Sequence, residues 1–409
     1  MRILMVNKFF YNKGGSETYY FALKKMLEIE GHTVIDFSMK DDKNFSSSYS
    51  KYFVDHVDYN GKMGLGQKLK AAKKIIYSKE AKKRFEQIVI AEKPDIVHLH
   101  NFHHQFSPSI LDVIKKYKIP AVYTAHDLKM ICPNYKMMHH GRICEDCKGG
   151  KYSKCAKNRC VKDSFSKSCI NVVEGYLHKW RKSYDAIGAI ITPSKFYREK
   201  FIEFGIQKDR VFHIPNFLNA QKPAVNPTND SEQYYLYFGR LSEEKGILTL
   251  IKAVESMNVH LKIVGTGPLK EEISQYLVDK NISNIDLLGF KSGQELTDIV
   301  GNAKAVVLPS EWYENGPYSA IESLQLGRPI IGADIGGIPE LIHNNGFLFK
   351  PGNEEDLSKA FQDMEQLSVQ KYEDMKAASV ALFNKYYTWG YHYKQLKQIY
   401  DSVMKKEEV

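Results

Sequence analysis

The first 37 residues, MRILMVNKFFYNKGGSETYYFALKKMLEIEGHTVIDF, predict how the chain begins to fold. Residues 2–6 form a short apolar run with the character of a β-strand, and residues 7–16 form a loop with two adjacent glycines. Apolar residues then recur at helical spacing over residues 17–30, and a second apolar run occupies residues 33–37. A strand, a loop, a helix and a second strand in this order are typical of the opening of a doubly wound α/β sheet.

The same alternation continues along the chain in two series. Further strands are predicted at residues 95–100, 121–124 and 187–192 in the first series, and at 235–238, 260–264, 286–288, 305–308 and 328–332 in the second. Helices are predicted to close the second series at residues 354–366, 369–385 and 389–406. A polar stretch rich in Asn and Pro, residues 219–232, separates the series, and 409 residues are too many for one ordinary core. We therefore expect two Rossmann-like domains, residues 1–217 and 218–385, which face a central ligand cleft. We expect the C-terminal helix within residues 386–409 to pack back on the first domain.

The amino-acid composition excludes several classes of protein. With 43% hydrophobic and 26% charged residues, the chain is typical of a globular protein and not of a disordered or polytopic membrane protein. No apolar run reaches the length of a membrane span, and the run at residues 2–6 is too short for a signal peptide. A cytoplasmic location is therefore expected.

Positive charge is concentrated in the first half of the chain. Residues 1–217 hold 39 Lys and Arg against 22 Asp and Glu, a net charge of +17, whereas the remainder holds 19 against 26, a net charge of −7. A basic half indicates a polyanionic partner, which is a membrane surface, a nucleic acid or a phosphorylated acceptor. A lysine-rich solvated surface without a partner is the alternative.

The segment EWYENGPYSAIESLQLGRPIIGADIGGIPE, residues 311–340, contains two carboxylates seven residues apart, Glu314 and Glu322. It follows a predicted buried strand, and a helix is predicted to begin near its Gly-Pro pair. Amides at the start of that helix would form an anion site around Gly316, Pro317 and Tyr318. Glu322 could accept hydrogen bonds from a ribose diol, and Glu314 could contact a sugar hydroxyl. Without the strand and the turns around them, two such carboxylates would be ordinary surface residues.

A second candidate segment, residues 239–246, directly follows the strand predicted at residues 235–238. Arg240 and Lys245 at a strand end can both reach one diphosphate, the first through its planar fork and the second as a point charge. Gly246 would let the next helix start close to the ligand. A charged, solvated loop is the alternative for this segment.

Together these residues resemble a known enzyme family. The motifs Arg240-Leu-x-x-x-Lys245-Gly246, Glu314-x7-Glu322, Gly336-Gly-Ile-Pro-Glu340 and an early Gly-Gly-x-Glu resemble the retaining GT-B glycosyltransferases of family 4, the glycosyl transferases group 1, over essentially the whole chain. The resemblance implies a nucleotide-sugar donor in the second domain and an acceptor in the first. The donor-binding residues it implies are Gly14, Gly15, Arg240, Lys245, Gly265, Leu288, Gly316, Pro317, Tyr318 and Glu322.

Several histidines follow the strands of the first domain. His126 comes at the end of the strand at residues 121–124, where the resemblance implies a histidine near the reacting carbon of the donor sugar. A structural histidine is the alternative. A metal site built from His98, His100, His103 and His104 is a weaker alternative, because their spacing fits no common ligand pattern.

The expected activity follows from the resemblance. It is retaining transfer of a hexose from a nucleotide-diphosphate sugar to an acceptor hydroxyl, with Glu314, His126, Arg240 and Lys245 as catalytic residues. The expected acceptor is a lipid-linked or cell-surface polysaccharide intermediate. No Asp-x-Asp metal motif is present, so catalysis without a metal or cofactor is expected. A nucleotide-sugar epimerase of similar architecture and a non-catalytic polyanion-binding protein are the alternatives, and no nucleic-acid-binding motif is found.

All six cysteines fall between residues 132 and 169, in a segment that reads as an insert of the first domain. Disulfides are uncommon in cytoplasmic proteins, so the cluster indicates a metal site or a loop of reduced thiols. Four thiolates suit a structural Zn²⁺, and the predicted ligands are Cys144, Cys147, Cys155 and Cys160.

The segment Lys62–Arg84 contains nine Lys and Arg residues with apolar residues among them. As one helix it would have an apolar stripe and a basic flank, which suits an anionic membrane surface. We therefore expect a peripheral protein at the inner face of the membrane. A solvated helix that packs its stripe on the sheet is the alternative.

Overall fold

The computed structural model describes residues 1–58, 64–221, 223–227 and 233–407. The chain divides into two compact units. The first unit comprises Met1–Ile214 together with Tyr393–Val409, and the second comprises Pro215–His392.

The first unit is built on a parallel sheet. Its strands in chain order are β1 Arg2–Val6, β2 Thr33–Phe37, β3 Ile96–Leu99, β4 Ala121–Thr124, β5 Met138–His139, β6 Arg142–Ile143, β7 Ala189–Thr192 and β8 Val211–His213. Six of them form one sheet in the order β2-β1-β3-β4-β7-β8, and β5 pairs with β6 in a separate antiparallel hairpin. The central strands are buried along their whole length, because helices cover both faces of such a sheet.

Helices alternate with these strands. They are α1 Gly15–Ile29, α2 Leu65–Ile76, α3 Lys79–Glu92, α4 Leu111–Tyr117, α5 Ser153–Lys157, α6 Phe165–Trp180 and α7 Lys195–Glu203. α5, α6 and the β5–β6 hairpin lie in the long connection between β4 and β7, which contains all six cysteines.

The second unit repeats the architecture. Its elements in chain order are β9 Tyr234–Phe238, α8 Ile247–Val254, β10 His260–Val264, α9 Lys270–Asp279, β11 Ile285–Gly289, α10 Gly293–Asn302, β12 Ala305–Leu308, α11 Tyr318–Gln325, β13 Ile330–Ala333, β14 Gly346–Phe349, α12 Glu354–Glu365 and α13 Val369–Tyr386. A further helix, α14 Trp389–Glu407, begins in this unit and continues into the first. The strands form one parallel sheet in the order β11-β10-β9-β12-β13-β14. The predicted pair of doubly wound α/β sheets is confirmed.

The last helix belongs largely to the first unit. Residues of α14 from Tyr393 onward are part of that unit. The Tyr400 hydroxyl lies 2.6 Å from Nδ1 of the buried His98 in β3. A Cβ at Gly188 would lie 2.7 Å from Cγ1 of Val403, so this glycine lets α14 approach the start of β7.

Four strands were not predicted, and several ends differ. β5 and β6 have only two residues each, too few for an apolar run. β8 has three residues and β14 begins at a glycine, so neither shows the apolar run by which the other strands were recognised. The strands predicted at 187–192 and 328–332 begin two residues later, at Ala189 and Ile330.

The prediction of a single helix over Lys62–Arg84 was wrong. Lys62 lies outside the described residues, and the described part forms α2 and α3 with a break at Tyr77. Tyr77 is extended, and the Ser78 hydroxyl accepts a hydrogen bond from the amide three residues further on, which makes it the N-cap of α3. A serine that caps a new helix competes with continuation of the old one.

Candidate functional site

The strand order of the second unit places two loops together. β9 lies between β10 and β12, and the chain runs from β9 to β10 on one side before it reaches β12 on the other. In parallel sheets the loops that follow two such strands flank a crevice in which ligands bind. Here those loops are residues 239–246 after β9 and 309–317 after β12, the two segments that the motifs single out.

The structure brings Lys245 and Glu314 into contact across this crevice. Oε1 of Glu314 accepts hydrogen bonds from Lys245 Nζ at 2.5 Å, Ser310 Oγ at 2.7 Å and Trp312 Nε1 at 2.9 Å. Burial alone would raise the pKa of Glu314, but the Lys245 ammonium and these hydrogen bonds outweigh it and hold the pKa below its ordinary value. All three of these donors reach the same carboxylate oxygen.

Two glycines in the left-handed region allow these loops to close. Gly246 has φ 65°, and a Cβ there would lie 1.9 Å from the carbonyl oxygen of Pro309. Gly336 has φ 62°, and a Cβ there would lie 2.6 Å from both the amide nitrogen and the carbonyl oxygen of Glu314. Any other residue at either position would push the Lys245 or Glu314 loop out of place.

Further backbone contacts fix the loop after β12. The amide of Gly337 donates to the carbonyl oxygen of Glu314 at 2.7 Å. The side-chain amide of Asn216 donates to the carbonyl oxygen of Gly316 at 2.7 Å. These contacts hold the residues on both sides of Asn315 and position the start of α11.

Positive groups surround the crevice. The Arg240 side chain is exposed just after β9, and Lys245 lies at the other end of the same loop. α11 begins at Tyr318, as predicted, and Pro317 before it provides no side-chain cap. The first amides of a helix have no acceptor within the helix, and such amides can bind an anion.

Glu322 lies one turn into α11. The residue as a whole is half-buried, and burial of its carboxyl raises the pKa to about 7. Within the described ranges, no cation or hydrogen-bond donor offsets that burial. A carboxyl in this state gains from any ligand that brings hydroxyl donors to it.

The other residues predicted in this unit lie along the same sheet edge. Gly265 follows β10, and its amide donates to the carbonyl oxygen of Gly289 at 2.8 Å. Leu288 is half-buried near the end of β11. The amide of Gly239 donates to the carbonyl oxygen of Val264 at 3.0 Å, which ties the loop after β9 to this edge.

In the first unit, His126 follows β4. Its Nε2 lies 3.1 Å from Nδ1 of His100, and its ring packs edge-on at 5.1 Å from that of Tyr19. Burial and the Lys8 ammonium lower the pKa of His126 to about 3. The imidazole is therefore neutral near pH 7 and suited to hydrogen bonding rather than to proton transfer.

Gly14 and Gly15 lie at the start of α1. Gly14 precedes the helix and Gly15 is its first residue. A Cβ at Gly14 would meet nothing nearer than Oε2 of Glu17, at 3.9 Å, so the space before this helix is open. Glu17 itself is buried, with Oε1 3.3 Å from the side-chain amide of Asn7.

Two of the other predicted histidines have structural partners. His98 lies between the Tyr400 hydroxyl and Thr124 Oγ1, the latter at 2.8 Å, and His103 is 3.1 Å from the Tyr184 hydroxyl. Across the described residues, no three His, Cys, Asp or Glu side chains are arranged to hold a metal ion.

Five of the six cysteines nevertheless line one cavity of about 10 Å³, which is roughly the room that one water-sized particle needs. They are Cys132, Cys144, Cys147, Cys155 and Cys160. All six cysteines are free thiols, and burial raises the pKa of Cys147 to about 12. The cavity thus adds Cys132 to the four cysteines predicted from spacing.

The residues that donate hydrogen bonds to Glu314 were not predicted from the sequence. Ser310 and Trp312 lie within the quoted motif, but their function as donors to one carboxylate depends on the path of the loop. Asn216 lies at the predicted end of the first domain, and its contact with the loop after β12 was not predicted. Its position in a Pro-Asn-Phe turn directly after the first sheet was the available signal.

Family models match both halves of the chain. Residues 13–222 match the family described as Glycosyltransferase Family 4, and residues 219–380 match the family described as Glycosyl transferases group 1.

Individual relatives are distant in sequence. An uncharacterized glycosyltransferase of Methanocaldococcus jannaschii is 25% identical over 216 residues, which cover 52% of this chain and 59% of the relative. An uncharacterized 42.6 kDa protein in the cps region of Klebsiella pneumoniae is 26% identical over 360 residues, covering 83% of this chain and 87% of the relative. An O-antigen chain mannosyltransferase of Escherichia coli is 24% identical over 176 residues, covering 42% and 46%.

Solved structures share the fold over the whole chain. Sucrose-phosphate synthase from Thermosynechococcus elongatus superposes with a TM-score of 0.72 at 17% identity, covering 99% of both chains. The Anabaena protein HepE in complex with UDP and glucose superposes with a TM-score of 0.67 at 17% identity, covering 98% of this chain and 100% of that one.

Two parallel sheets, a switch-point crevice bearing the paired Lys245 and Glu314, and a family match over more than half of the residues lead to one assignment. The chain belongs to glycosyltransferase family 4, the glycosyl transferases group 1, and has the GT-B fold.

Proposed function

We propose that this glycosyltransferase moves a hexose from a nucleotide-diphosphate sugar to an acceptor hydroxyl with retention at the anomeric carbon. The observation that carries the proposal is the contact of Lys245 with Glu314 in the crevice between β9 and β12, beside Arg240 and the uncapped start of α11. Cations and helix amides suit a diphosphate, and a carboxylate suits sugar hydroxyls. Family membership favours transfer over epimerisation or non-catalytic polyanion binding.

Each donor group has a proposed contact. Arg240, Lys245 and the amides of Tyr318 and Ser319 bind the diphosphate. Glu322 accepts hydrogen bonds from the ribose, which compensates for the burial that raises its pKa to about 7. Oε2 of Glu314 accepts a hydrogen bond from a sugar hydroxyl. Three further glycines and a leucine contact the donor: Gly14, Gly15, Gly265 and Leu288. UDP-sugars are the first donors to test, because the Anabaena protein of the same fold binds UDP.

The proposed reaction uses the protein's own charges. The acceptor oxygen forms a bond to the anomeric carbon on the face from which the diphosphate departs, and its proton passes to the departing phosphate oxygen. The bond from that carbon to the diphosphate breaks with its electron pair on the diphosphate. Arg240 and Lys245 stabilise the charge that develops there, so no catalytic metal or cofactor is required. His126, being neutral, hydrogen-bonds a sugar hydroxyl.

The acceptor that we propose is a lipid-linked or cell-surface polysaccharide intermediate, met at the inner face of the membrane. Two observations support it. Residues 1–217 have a net charge of +17, and the Escherichia coli relative acts on O-antigen chains. Among the described residues, no helix combines the length and apolar character that crossing a bilayer requires.

Thermal unfolding of the full chain with a panel of UDP-, GDP-, ADP- and TDP-sugars tests the donor assignment. A ligand that binds the native state raises the apparent stability, so one nucleotide should raise Tm clearly. Glu322→Gln should abolish that shift. Glu355→Gln, which changes an exposed carboxylate of α12, should keep it.

The stereochemistry is tested on the purified product. Proton NMR of the new linkage should show the anomeric configuration of the donor. An inverted product contradicts retention, and interconversion of the nucleotide sugar without an acceptor identifies an epimerase. Absence of a shift with every nucleotide contradicts the donor site itself.

We also propose that the cysteine cavity holds one structural Zn²⁺. Four thiolates are a common zinc ligand set, and the cavity has room for a single ion. As the side chains stand they do not form a metal-binding group, so the thiols must rotate inward when the ion binds. Exposed Lys148, Lys151 and Lys154 nearby offset the charge of the thiolates.

Metal analysis of the purified protein tests this second proposal. About one equivalent of zinc is expected, and Cys144→Ser or Cys160→Ser should release it. Cys169→Ser is the control, because Cys169 does not line the cavity. Comparison of Cys132→Ser with Cys155→Ser identifies the fourth ligand. Less than about a tenth of an equivalent in the wild-type protein contradicts the site.

A further inference from the structure

α6 has the opposite polarity to an ordinary surface helix. The residues on its buried face are polar, namely Ser168, Asn171, Glu174 and His178. Its exposed face carries large apolar side chains: Phe165 is 60% exposed, Val173 51%, Tyr176 41% and Trp180 81%. A helix at the surface of a globular protein normally buries its apolar stripe and exposes its polar one.

Polar contacts hold the inner face in place. Glu174 forms a buried ion pair with Lys129 at 2.8 Å. The ring of His178 lies 2.9 Å from Ser183 Oγ on one side and 2.8 Å from the carbonyl oxygen of Ile76 on the other. α6 is therefore anchored by its buried polar groups, and the exposed apolar residues are not needed to dock it.

The four exposed apolar residues and the half-buried Cys169 form one continuous stripe. Phe165, Cys169, Val173, Tyr176 and Trp180 follow one another at intervals of three or four residues. At 3.6 residues per turn they fall within about 80° of the helix circumference and extend over about 22 Å. We call these five residues the α6 stripe.

The α6 stripe belongs to a group of helices rich in lysine. α2 and α5 both pack against α6, and the ring of Tyr152, beside α5, lies 5.3 Å from that of Tyr176. Exposed lysines on the three helices include Lys68, Lys70, Lys73, Lys154, Lys167 and Lys179. The three helices together contain one acidic residue, Glu174, and it is buried on the inner face.

We propose that the α6 stripe docks the protein on an anionic lipid surface. Aromatic side chains such as Trp180 and Phe165 enter the headgroup region, where amphipathic helices bury their apolar face, and the lysines meet lipid phosphates. This surface differs from the one predicted on Lys62–Arg84. It deepens the proposed function, because a lipid-linked acceptor is reached at such a surface.

The charges argue against a second copy of this chain as the occupant. A symmetric dimer places the same patch of both subunits face to face. The lysines around one α6 stripe would then meet those of the other, without acidic residues on the three helices to offset them. An anionic bilayer, in contrast, is complementary to both the apolar stripe and its basic surroundings.

Vesicle binding by the full-length protein tests the proposal. The probes are vesicles of phosphatidylcholine alone and of phosphatidylcholine mixed with phosphatidylglycerol. We expect binding to the anionic vesicles that weakens with salt. The double variant Phe165→Ser, Trp180→Ser should bind them about tenfold more weakly or worse, since two exposed aromatic side chains no longer enter the bilayer.

A matched variant controls for general loss of surface hydrophobicity. Phe290 and Val369 in the second unit are 72% and 82% exposed. The double variant Phe290→Ser, Val369→Ser should bind vesicles as the wild type does. The fluorescence of Trp180, one of three tryptophans, should shift to the blue with anionic vesicles, and the shift should disappear in Trp180→Ser.

Three results would overturn the proposal. They are equal binding of the α6 variant and the wild type, equal binding to neutral and anionic vesicles, and a vesicle-free self-association that the α6 variant loses. The last result would assign the stripe to a second copy. Failure of the proposed function is seen separately, because the nucleotide-sugar thermal shift is measured without lipid and no residue of the α6 stripe is among the proposed donor contacts.

Discussion

Lys245 is the cation that keeps a buried carboxylate ionised. Lys245→Met retains most of the side-chain length but leaves Glu314 without its ion pair. We expect turnover to fall by orders of magnitude and the free energy of unfolding to fall by about 2–4 kcal/mol near neutral pH. Activity assays and urea denaturation measure the two effects.

The fall in the free energy of unfolding of Lys245→Met should depend on pH if it comes from the lost ion pair, but not if it comes from lost packing. The pKa of Glu314 is lowered in the folded wild type, so its contribution to stability is present above the unfolded pKa and is lost as pH falls through the folded one. The difference between wild type and Lys245→Met should therefore shrink at about pH 4. An equal difference at both pH values would contradict the ion-pair account.

The contribution of Glu322 to stability depends on pH in the opposite direction. Its pKa is raised from 4.5 to about 7 in the folded state, so stability is complete below the unfolded pKa and decreases as pH rises through about 7. Glu322→Gln should stabilise the ligand-free protein by about 1–3 kcal/mol at about pH 8 and by nearly nothing at about pH 4, as measured by denaturation. Glu355→Gln should change neither value. Destabilisation at the higher pH would show that the carboxylate has a partner.

The sequence predicts the charged groups of the site better than their supports. Arg240, Lys245, Glu314 and Glu322 were recognisable because their type and spacing suit a nucleotide sugar. The donors to Glu314 were not, since a serine and a tryptophan acquire that function only through the course of the loop. The pKa of a single glutamate likewise depends on burial by residues distant in sequence.

At the scale of elements, the junction between the loop after β9 and α8 depends on one glycine. Gly246→Ala should lower the free energy of unfolding by at least about 3 kcal/mol, because the new Cβ would meet the Pro309 carbonyl in addition to the strain of a positive φ. It should also abolish turnover, since the neighbouring lysine is displaced. Denaturation and activity assays measure both.

Gly293→Ala provides the matched control for that change. Gly293 has φ 60°, close to the value of Gly246, but a Cβ there meets nothing within 4 Å. We expect it to cost about 1 kcal/mol from backbone strain alone. Equal losses for the two variants would mean that the close approach to Pro309 is unimportant.

The element boundaries show where local patterns are insufficient. Residues 2–6 and 33–37 were predicted as the strands that the structure contains, because each is a full apolar run with a clear turn beside it. The single helix over Lys62–Arg84 was wrong because its charge and apolar spacing continue across the break, whereas the N-cap at Ser78 ends it. The reversed polarity of α6 could not be predicted, because the sequence of the helix alone does not determine which of its faces is buried.

At the scale of the whole molecule, the last helix stabilises strands near the start of the chain. Tyr400→Phe leaves His98 Nδ1 without its bond to the tyrosine hydroxyl and should lower the stability of the first unit by about 1–3 kcal/mol. Hydrogen exchange should quicken in β3 and remain unchanged in β9, in the other unit. Tyr393→Phe, whose hydroxyl lies 2.9 Å from a half-buried His32, is the control and should cost less.

The order of the strands within each sheet could not be predicted from the sequence patterns. Alternating strands and helices were enough to predict two doubly wound sheets, and this is confirmed. That β9 lies between β10 and β12 is decided by packing between segments up to about 70 residues apart, and it is this neighbourhood that brings residues 239–246 beside residues 309–317.

The division of the first unit into two distant segments has a consequence for biosynthesis. A ribosome makes Met1–Ile214 first, but Tyr393–Val409 only after the whole of the second unit. Until then the nascent first unit lacks the helix that covers His98 and packs at Gly188, while the second unit is one continuous segment and has its whole sheet available. The domain that is synthesised first is therefore the one that finishes folding last, and its uncovered face is the part of the newborn chain that a chaperone must protect.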